Sequence, residues 1–257
     1  MKHYIFFFCL FFSAYVFSQS DYTAKILLSD SGDSLRYQEL IPENYDPGKK
    51  YPLVLFLHGA GERGTDNLSQ LKHGSKMFTN PVNREKYPAF VIFPQCPKDH
   101  YWSFRSRPTD GKVSADVFPA DYEISDMMKQ IKNLLDLYSD KDQIDKDRIY
   151  VIGLSMGGMA TFDLACRFPD LFAAVIPICG GVNPDRLAVC KNIKFRIYHG
   201  DADSVVPVEN SRIAYTALKK AGASVEYTEF PGHDHDSWTP AFNKEDFLSW
   251  LFDQVKD

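Results

Sequence analysis

Five short runs of this chain are apolar almost without interruption, and no other feature narrows its fold as much. They are Pro52–His58 (PLVLFLH), Phe90–Phe93, Arg148–Leu154, Ala173–Ile178 and Phe195–His199. A strand with one wet face alternates apolar and polar residues; a near-continuous apolar run is a strand covered on both faces. Helical patterns lie between the runs. Ile124, Met128, Ile131, Leu135 and Tyr138 recur at helical spacing. Met156–Phe168 reads as a helix that ends at Pro169, and Glu209–Ala221 as one stopped by Gly222. Phe247, Leu248, Leu251, Phe252 and Val255 form a last apolar stripe. A further strand is expected at Val225–Phe230, and Asp21–Leu28 with Leu35–Leu40 reads as an antiparallel edge hairpin. Strands alternating with helices predict an α/β fold: a mostly parallel central sheet flanked by helices. Such sheets bind ligands at the carboxyl ends of their strands.

The first residues belong to another class. Lys2 and His3 precede an apolar stretch from Tyr4 to Phe17, and Val16-Phe17-Ser18 forms a small-residue exit before Gln19. The stretch is shorter than the ~20 residues of a spanning helix. Residues 1–18 are therefore expected to be a secretory signal peptide, ahead of an uncleaved anchor or a lipid-modified Cys9. The expected location is periplasmic or extracellular, with no membrane contact in the mature form. Residues 19–257 are expected to form one domain, because α/β folds reach ~250 residues as a unit. The net charge of −5 is spread along the chain without a basic block, which argues against a nucleic-acid partner. An exported chain permits disulfides among Cys96, Cys166, Cys179 and Cys190. Cys179 and Cys190 close a short loop, but spacing alone assigns no pair. There is no CxxC or Cys/His ligand spacing, so neither metal nor cofactor is expected.

Gly153-Leu154-Ser155-Met156-Gly157-Gly158 directly follows the apolar run Ile149–Ile152 and opens a helical pattern. This is G-x-S-x-G in its strand–turn–helix context, which makes Ser155 the candidate nucleophile. Glycine is needed on both sides, because the turn is tight and side chains there would strike neighbouring structure. The N–H groups at the start of the helix point toward a developing oxyanion.

A serine hydroxyl needs a base beside it and a carboxylate to orient that base. The chain order for this elbow is Ser, then acid, then His. His199 ends a strand and is followed by Gly200-Asp201-Ala202-Asp203, where both aspartates qualify. Asp203 is preferred, because it leads into Ser204–Pro207 and the next helix; the other aspartate would then make a turn. Pro231-Gly232-His233-Asp234-His235-Asp236 follows the last strand, and His235 is preferred over His233 as the base. A metal reading of the His-Asp-His-Asp run lacks an obvious further ligand set. The oxyanion would be held by the N–H of Met156 and by one from the loop His58-Gly59-Ala60-Gly61-Glu62-Arg63-Gly64, where Ala60 is the choice. His58 is read as structural, and Glu62 and Arg63 as loop support.

Together LFLHGAGERGTDN, FPQCP with Trp102, RIYVIGLSMGG, FAAVIPICGG, HGDADSVVPVENS and PGHDHDSW resemble bacterial exported carboxylesterases. These are the α/β-hydrolases of the dienelactone hydrolase, phospholipase/carboxylesterase, feruloyl esterase-like and prolyl-oligopeptidase-like branch. The resemblance spans about residues 20–255. It implies a serine esterase with Ser155, Asp203 and His235 as nucleophile, acid and base, hole donors at Ala60 and Met156, and Gln95 and Trp102 lining the acyl side of the cleft. It implies a small-molecule or oligosaccharide ester as substrate, with feruloyl and acyl esters of plant polysaccharides favoured. The family usually has a small residue and Gly before the base, where this chain has His233-Asp234. Two other readings keep the same residues: a prolyl-oligopeptidase-like serine peptidase, and a binding module without chemistry. The segment Pro97–Pro119 reads equally as a lid or a surface loop.

Overall fold

A computed structural model describes residues 21–28, 32, 34–103 and 118–256. The expected signal peptide and residues 104–117 of the expected lid lie outside the described residues. Eight strands form one sheet: β1 (Thr23–Leu28), β2 (Ser34–Leu40), β3 (Tyr51–Leu57), β4 (Phe90–Gln95), β5 (Ile144–Leu154), β6 (Ala174–Ile178), β7 (Lys194–Gly200) and β8 (Val225–Phe230). Their order is β1-β2-β4-β3-β5-β6-β7-β8. β1 and β2 are the expected edge hairpin, and β2 also pairs antiparallel with β4. Every other pairing is parallel.

The period of two explains why the runs are apolar throughout. Leu53, Leu55 and Leu57 of β3 enter one core, and Val54 and Phe56 enter another. Ile149 and Val151 of β5 point to the first core, Tyr150, Ile152 and Leu154 to the second. The first core is closed by α3 (Asp126–Ser139), α4 (Met156–Arg167) and α5 (Glu209–Ala221). On the opposite face lie residues of α1 (Ser75–Thr79), α6 (Trp238–Phe242) and α7 (Phe247–Phe252). A further short helix, α2 (Pro81–Lys86), buries no residue and is capped by Asn80, whose side chain accepts from the N–H groups of Val82 and Asn83. α3 starts where the Ser125 side chain accepts from Met128 N and presents Met128, Ile131, Leu135 and Tyr138 to the sheet. Val255 lies beyond the end of α7, so the last apolar stripe is shorter as a helix than its sequence suggests.

Register places the functional loops. Leu57 pairs with Gly153, Leu154 with Ile178, and Gly200 with Phe230. The carboxyl ends of β3, β5, β7 and β8 therefore open on one rim of the sheet, with the strand order reversing around β3. That rim is where a doubly wound sheet leaves a crevice.

Candidate active site

Ser155 sits between β5 and α4 with φ 54° and ψ −117°. An L-residue in this region is strained by about 1–3 kcal/mol and persists only when its surroundings hold it. Here Ser155 N donates to Ile178 O at 2.9 Å, and its carbonyl accepts from Met159 N at 3.0 Å. The flanking glycines are a steric requirement. A Cβ on Gly153 would fall 2.2 Å from Gly157 O, and one on Gly157 only 2.0 Å from Leu57 O. The elbow thus packs backbone against backbone, and the hydroxyl is left at the partly exposed tip.

The Ser155 hydroxyl lies 2.8 Å from Nε2 of His235, and Nδ1 of His235 lies 2.8 Å from Oδ2 of Asp203. Asp203 has no side-chain exposure. Burial alone would raise its carboxyl, but hydrogen bonds from His199, His235 and the Val206 N–H more than offset that and hold it well below the ordinary carboxylate range. An ionised carboxylate only accepts, so His235 donates Nδ1–H to Asp203. Its Nε2 lone pair then faces the serine hydroxyl. The other carboxylate oxygen, Oδ1, accepts from Val205 N at 2.9 Å and Val206 N at 2.8 Å.

His199 is a further partner of the acid. It is fully buried, with Nε2 2.8 Å from Val206 O and 3.2 Å from Asp203 Oδ2, and Nδ1 2.7 Å from Ser211 Oγ. A carbonyl and a carboxylate both accept, so Nε2 carries the proton and Nδ1 accepts from the Ser211 hydroxyl. The acid is fixed by two histidines and two backbone amides.

The acid and base loops are clasped together. Ala202 N donates to His233 O, Gly232 N to Asp201 Oδ1, and Ser204 N and Oγ to Asp234 Oδ1. Asp201, the aspartate passed over as the acid, is thus a loop tie. Asp234, just before the base, is occupied with Ser204. His233 is half-buried, 3.8 Å from Asp236. Gly200 lets the loops touch: a Cβ there would lie 2.2 Å from His233 O.

Ala60 opens a 3-10 turn, Ala60–Glu62, separated from the end of β3 by His58 and Gly59. Gly59 before it faces the nucleophile, since a Cβ on Gly59 would stand 3.6 Å from Ser155 Cβ. Arg63 steadies the turn: Nε donates to Ala60 O, Nη1 to Lys98 O and His100 O, and the guanidinium lies 4.4 Å over Tyr101. Glu62 pairs away from Arg63, toward His73 at 3.5 Å and Lys72 at 3.6 Å. Burial pushes the Glu62 carboxyl up, and the hydrogen bond from His73 with the nearby Lys72 charge brings it below its ordinary value. Met156 is the first residue of α4, so its N–H has no helical partner.

Two residues implied by the resemblance sit elsewhere than expected. Gln95 and Trp102 are 1% and 0% exposed, and they do not line an open cleft. Gln95 donates through Nε2 to Glu62 O and Asp66 Oδ1 and accepts from Asn67 N. Trp102 donates Nε1–H to His58 O and packs on the His58 ring at 5.0 Å. Both brace the loop that carries Ala60. His58 is structural, as expected: Nε2 accepts from Cys96 N, so Nδ1–H donates to Gly59 O. Burial lowers its pKa to about 4 and keeps it neutral.

Among the described residues one grouping offers three potential metal ligands, Cys179, Asp203 and His235, with ligand atoms within 4.8 Å. Burial and the Asp203 charge push the Cys179 thiol up, and the thiol is turned to the His235 carbonyl. Asp203 and the His235 Nδ1 are already committed to each other. This donor set fits a hydrogen-bonded relay better than a metal. The contributions of His199, Ser211 and Trp238, whose ring meets His235 at 5.6 Å, were not assigned from sequence. Only the unused histidine at the end of an apolar strand signals one of them.

A family profile described as Phospholipase/Carboxylesterase matches residues 45–250. A solved structure titled a thermostable esterase superposes with TM-score 0.82 at 36% identity, over 92% of this chain and 64% of that one. Lysophospholipase-like protein 1 of Mus musculus is 25% identical across 81% of this chain and 89% of its own length. An endo-1,4-beta-xylanase/feruloyl esterase of Xylanibacter ruminicola is 29% identical across 76% of this chain, which spans only 26% of that relative.

Proposed function

Because the chain belongs to the phospholipase/carboxylesterase family of carboxylic-ester hydrolases, we propose that Ser155, His235 and Asp203 hydrolyse acyl or feruloyl esters of plant polysaccharide fragments, outside the cytoplasm, through an acyl-enzyme. The observation that carries this reading is the Ser155–His235–Asp203 relay, with both links at 2.8 Å.

In this mechanism Ser155 Oγ attacks the ester carbonyl while His235 Nε2 takes the hydroxyl proton. Asp203 keeps the imidazole in the accepting tautomer and stabilises the imidazolium that forms. The tetrahedral oxyanion rests on the N–H groups of Ala60 and Met156; one such donor is worth about 2.7–4 kcal/mol in the transition state. Collapse expels the alcohol, which takes its proton from Nε2. Water then enters, gives a proton to His235 and releases the acid, restoring Ser155.

The feruloyl preference rests on the name of the Xylanibacter ruminicola relative, and the extracytoplasmic location on the apolar start of the chain (Tyr4–Phe17). A panel of p-nitrophenyl esters of rising acyl length, methyl ferulate and methyl cinnamate tests the reading. Turnover of the cinnamate-type esters supports it. Turnover of short acyl esters alone removes the feruloyl part, and peptide cleavage without ester turnover favours the peptidase reading instead.

A further inference from the structure

Of the four described cysteines, two lie against each other. The Cys190 thiol donates to Cys166 Sγ at 3.9 Å, with Cys190 buried and Cys166 half-buried. Cys166 is in the last turn of α4, the helix that starts at the nucleophile, and Cys190 ends the 3-10 segment Pro184–Cys190. Other bonds hold these two elements in place. Arg167 of α4 and Arg186 of the segment share the buried Asp163 carboxylate, at 3.0 and 2.6 Å. Both guanidinium groups also cover the Tyr122 ring, at 4.7 and 4.6 Å. These bonds keep the two sulfurs facing each other. Forming the bond closes this contact to the ~2.05 Å of a disulfide. Cys179, which would close a shorter loop with Cys190, turns its thiol to the His235 carbonyl instead.

We propose that Cys166 and Cys190 form an intramolecular disulfide that locks the nucleophile helix to the Pro184–Cys190 segment. The oxidant is a thiol-exchanging disulfide such as oxidised glutathione. The more accessible Cys166 thiolate attacks one glutathione sulfur, and the first glutathione leaves as its thiol. Cys190 then gives up its proton and attacks the Cys166 sulfur, expelling the second glutathione. Two protein thiols are oxidised, one glutathione disulfide is reduced, and two glutathione thiols are released. The second attack is intramolecular between groups already in contact, so it outruns capture by another thiol.

The test is equilibration of the intact protein across a ladder of oxidised-to-reduced glutathione ratios, alkylation with iodoacetamide, and peptide mapping without reduction. The expected result is a linked pair of peptides containing Cys166 and Cys190, with Cys96 and Cys179 still alkylated after unfolding. Oxidation should raise the melting temperature by roughly 5–10 °C, and Cys166→Ser or Cys190→Ser should abolish the rise. Alkylation of both thiols at the most oxidising ratio would overturn the proposal. So would a lasting glutathione adduct on Cys166, or a bridge from Cys190 to Cys179.

Discussion

A methyl group on Gly200 has nowhere to go. Its carbon would fall 2.2 Å from His233 O, 2.7 Å from Asp234 O and 2.8 Å from His233 C, all backbone atoms that no side-chain rotation can clear. To regain an ordinary contact in Gly200→Ala, the base loop must retreat by roughly an ångström. His235 lies two residues along that loop, and its Nε2 sits only 2.8 Å from the Ser155 hydroxyl. A catalytic group misplaced by about 1 Å costs on the order of 100-fold in rate. Steady-state kinetics on p-nitrophenyl acetate should therefore show kcat lowered about 100-fold with KM changed less than about threefold, because proton transfer is lost and binding is not. A urea melt confirms that the variant is folded. Gly61→Ala is the control, since a Cβ there meets nothing within 4 Å. A folded Gly200→Ala enzyme with kcat within about threefold of the parent would refute the claim that this contact sets the base.

Three further outcomes follow from the same geometry. His199→Leu withdraws one hydrogen bond from the buried acid, and such bonds to a charge are worth about 1.5–3 kcal/mol, so kcat/KM should fall roughly 10- to 100-fold on the same ester. Asp203 is held below its ordinary carboxylate pKa by the hydrogen bonds it accepts. Its contribution is thus fully present above the unfolded value of about 3.9 and is lost as pH falls through the folded value. Urea melts from pH 6 downward should show the parent losing stability in acid and Asp203→Asn losing less, so that the two curves converge. Trp102→Ala empties a fully buried site and should cost about 3–5 kcal/mol of unfolding free energy. An unchanged urea midpoint in that variant would contradict the bracing role given to Trp102.

The strands were legible because their environment is written twice. Residues such as Leu55 and Phe56 enter opposite cores, so neither position tolerates a polar side chain. The meeting of Ser155, Asp203 and His235 could be anticipated because chain order and strand ends restrict the candidates. Short elements escaped. α1 and α6 span five residues each, too few for a helical period to show. The lead-in of β5 from Ile144 was also missed; its pairing with β3 is irregular and its residues Lys146 and Asp147 are exposed. Side-chain direction was the other loss. A motif locates the loop that carries Gln95 and Trp102, but only packing decides that both turn inward to the Ala60 turn. The approach of Cys166 to Cys190 joins elements 24 residues apart through a shared aspartate, which no local pattern encodes.

Reaction with a fluorophosphonate probe reaches the core of the account most directly, because it needs a serine whose proton is drawn off by a neighbouring imidazole. Intact mass and peptide mapping should place a single phosphonyl group on Ser155, with ester turnover lost in step. His235→Ala should slow that labelling by orders of magnitude while the protein stays folded. Labelling at another residue, or labelling whose rate is indifferent to His235, would contradict it.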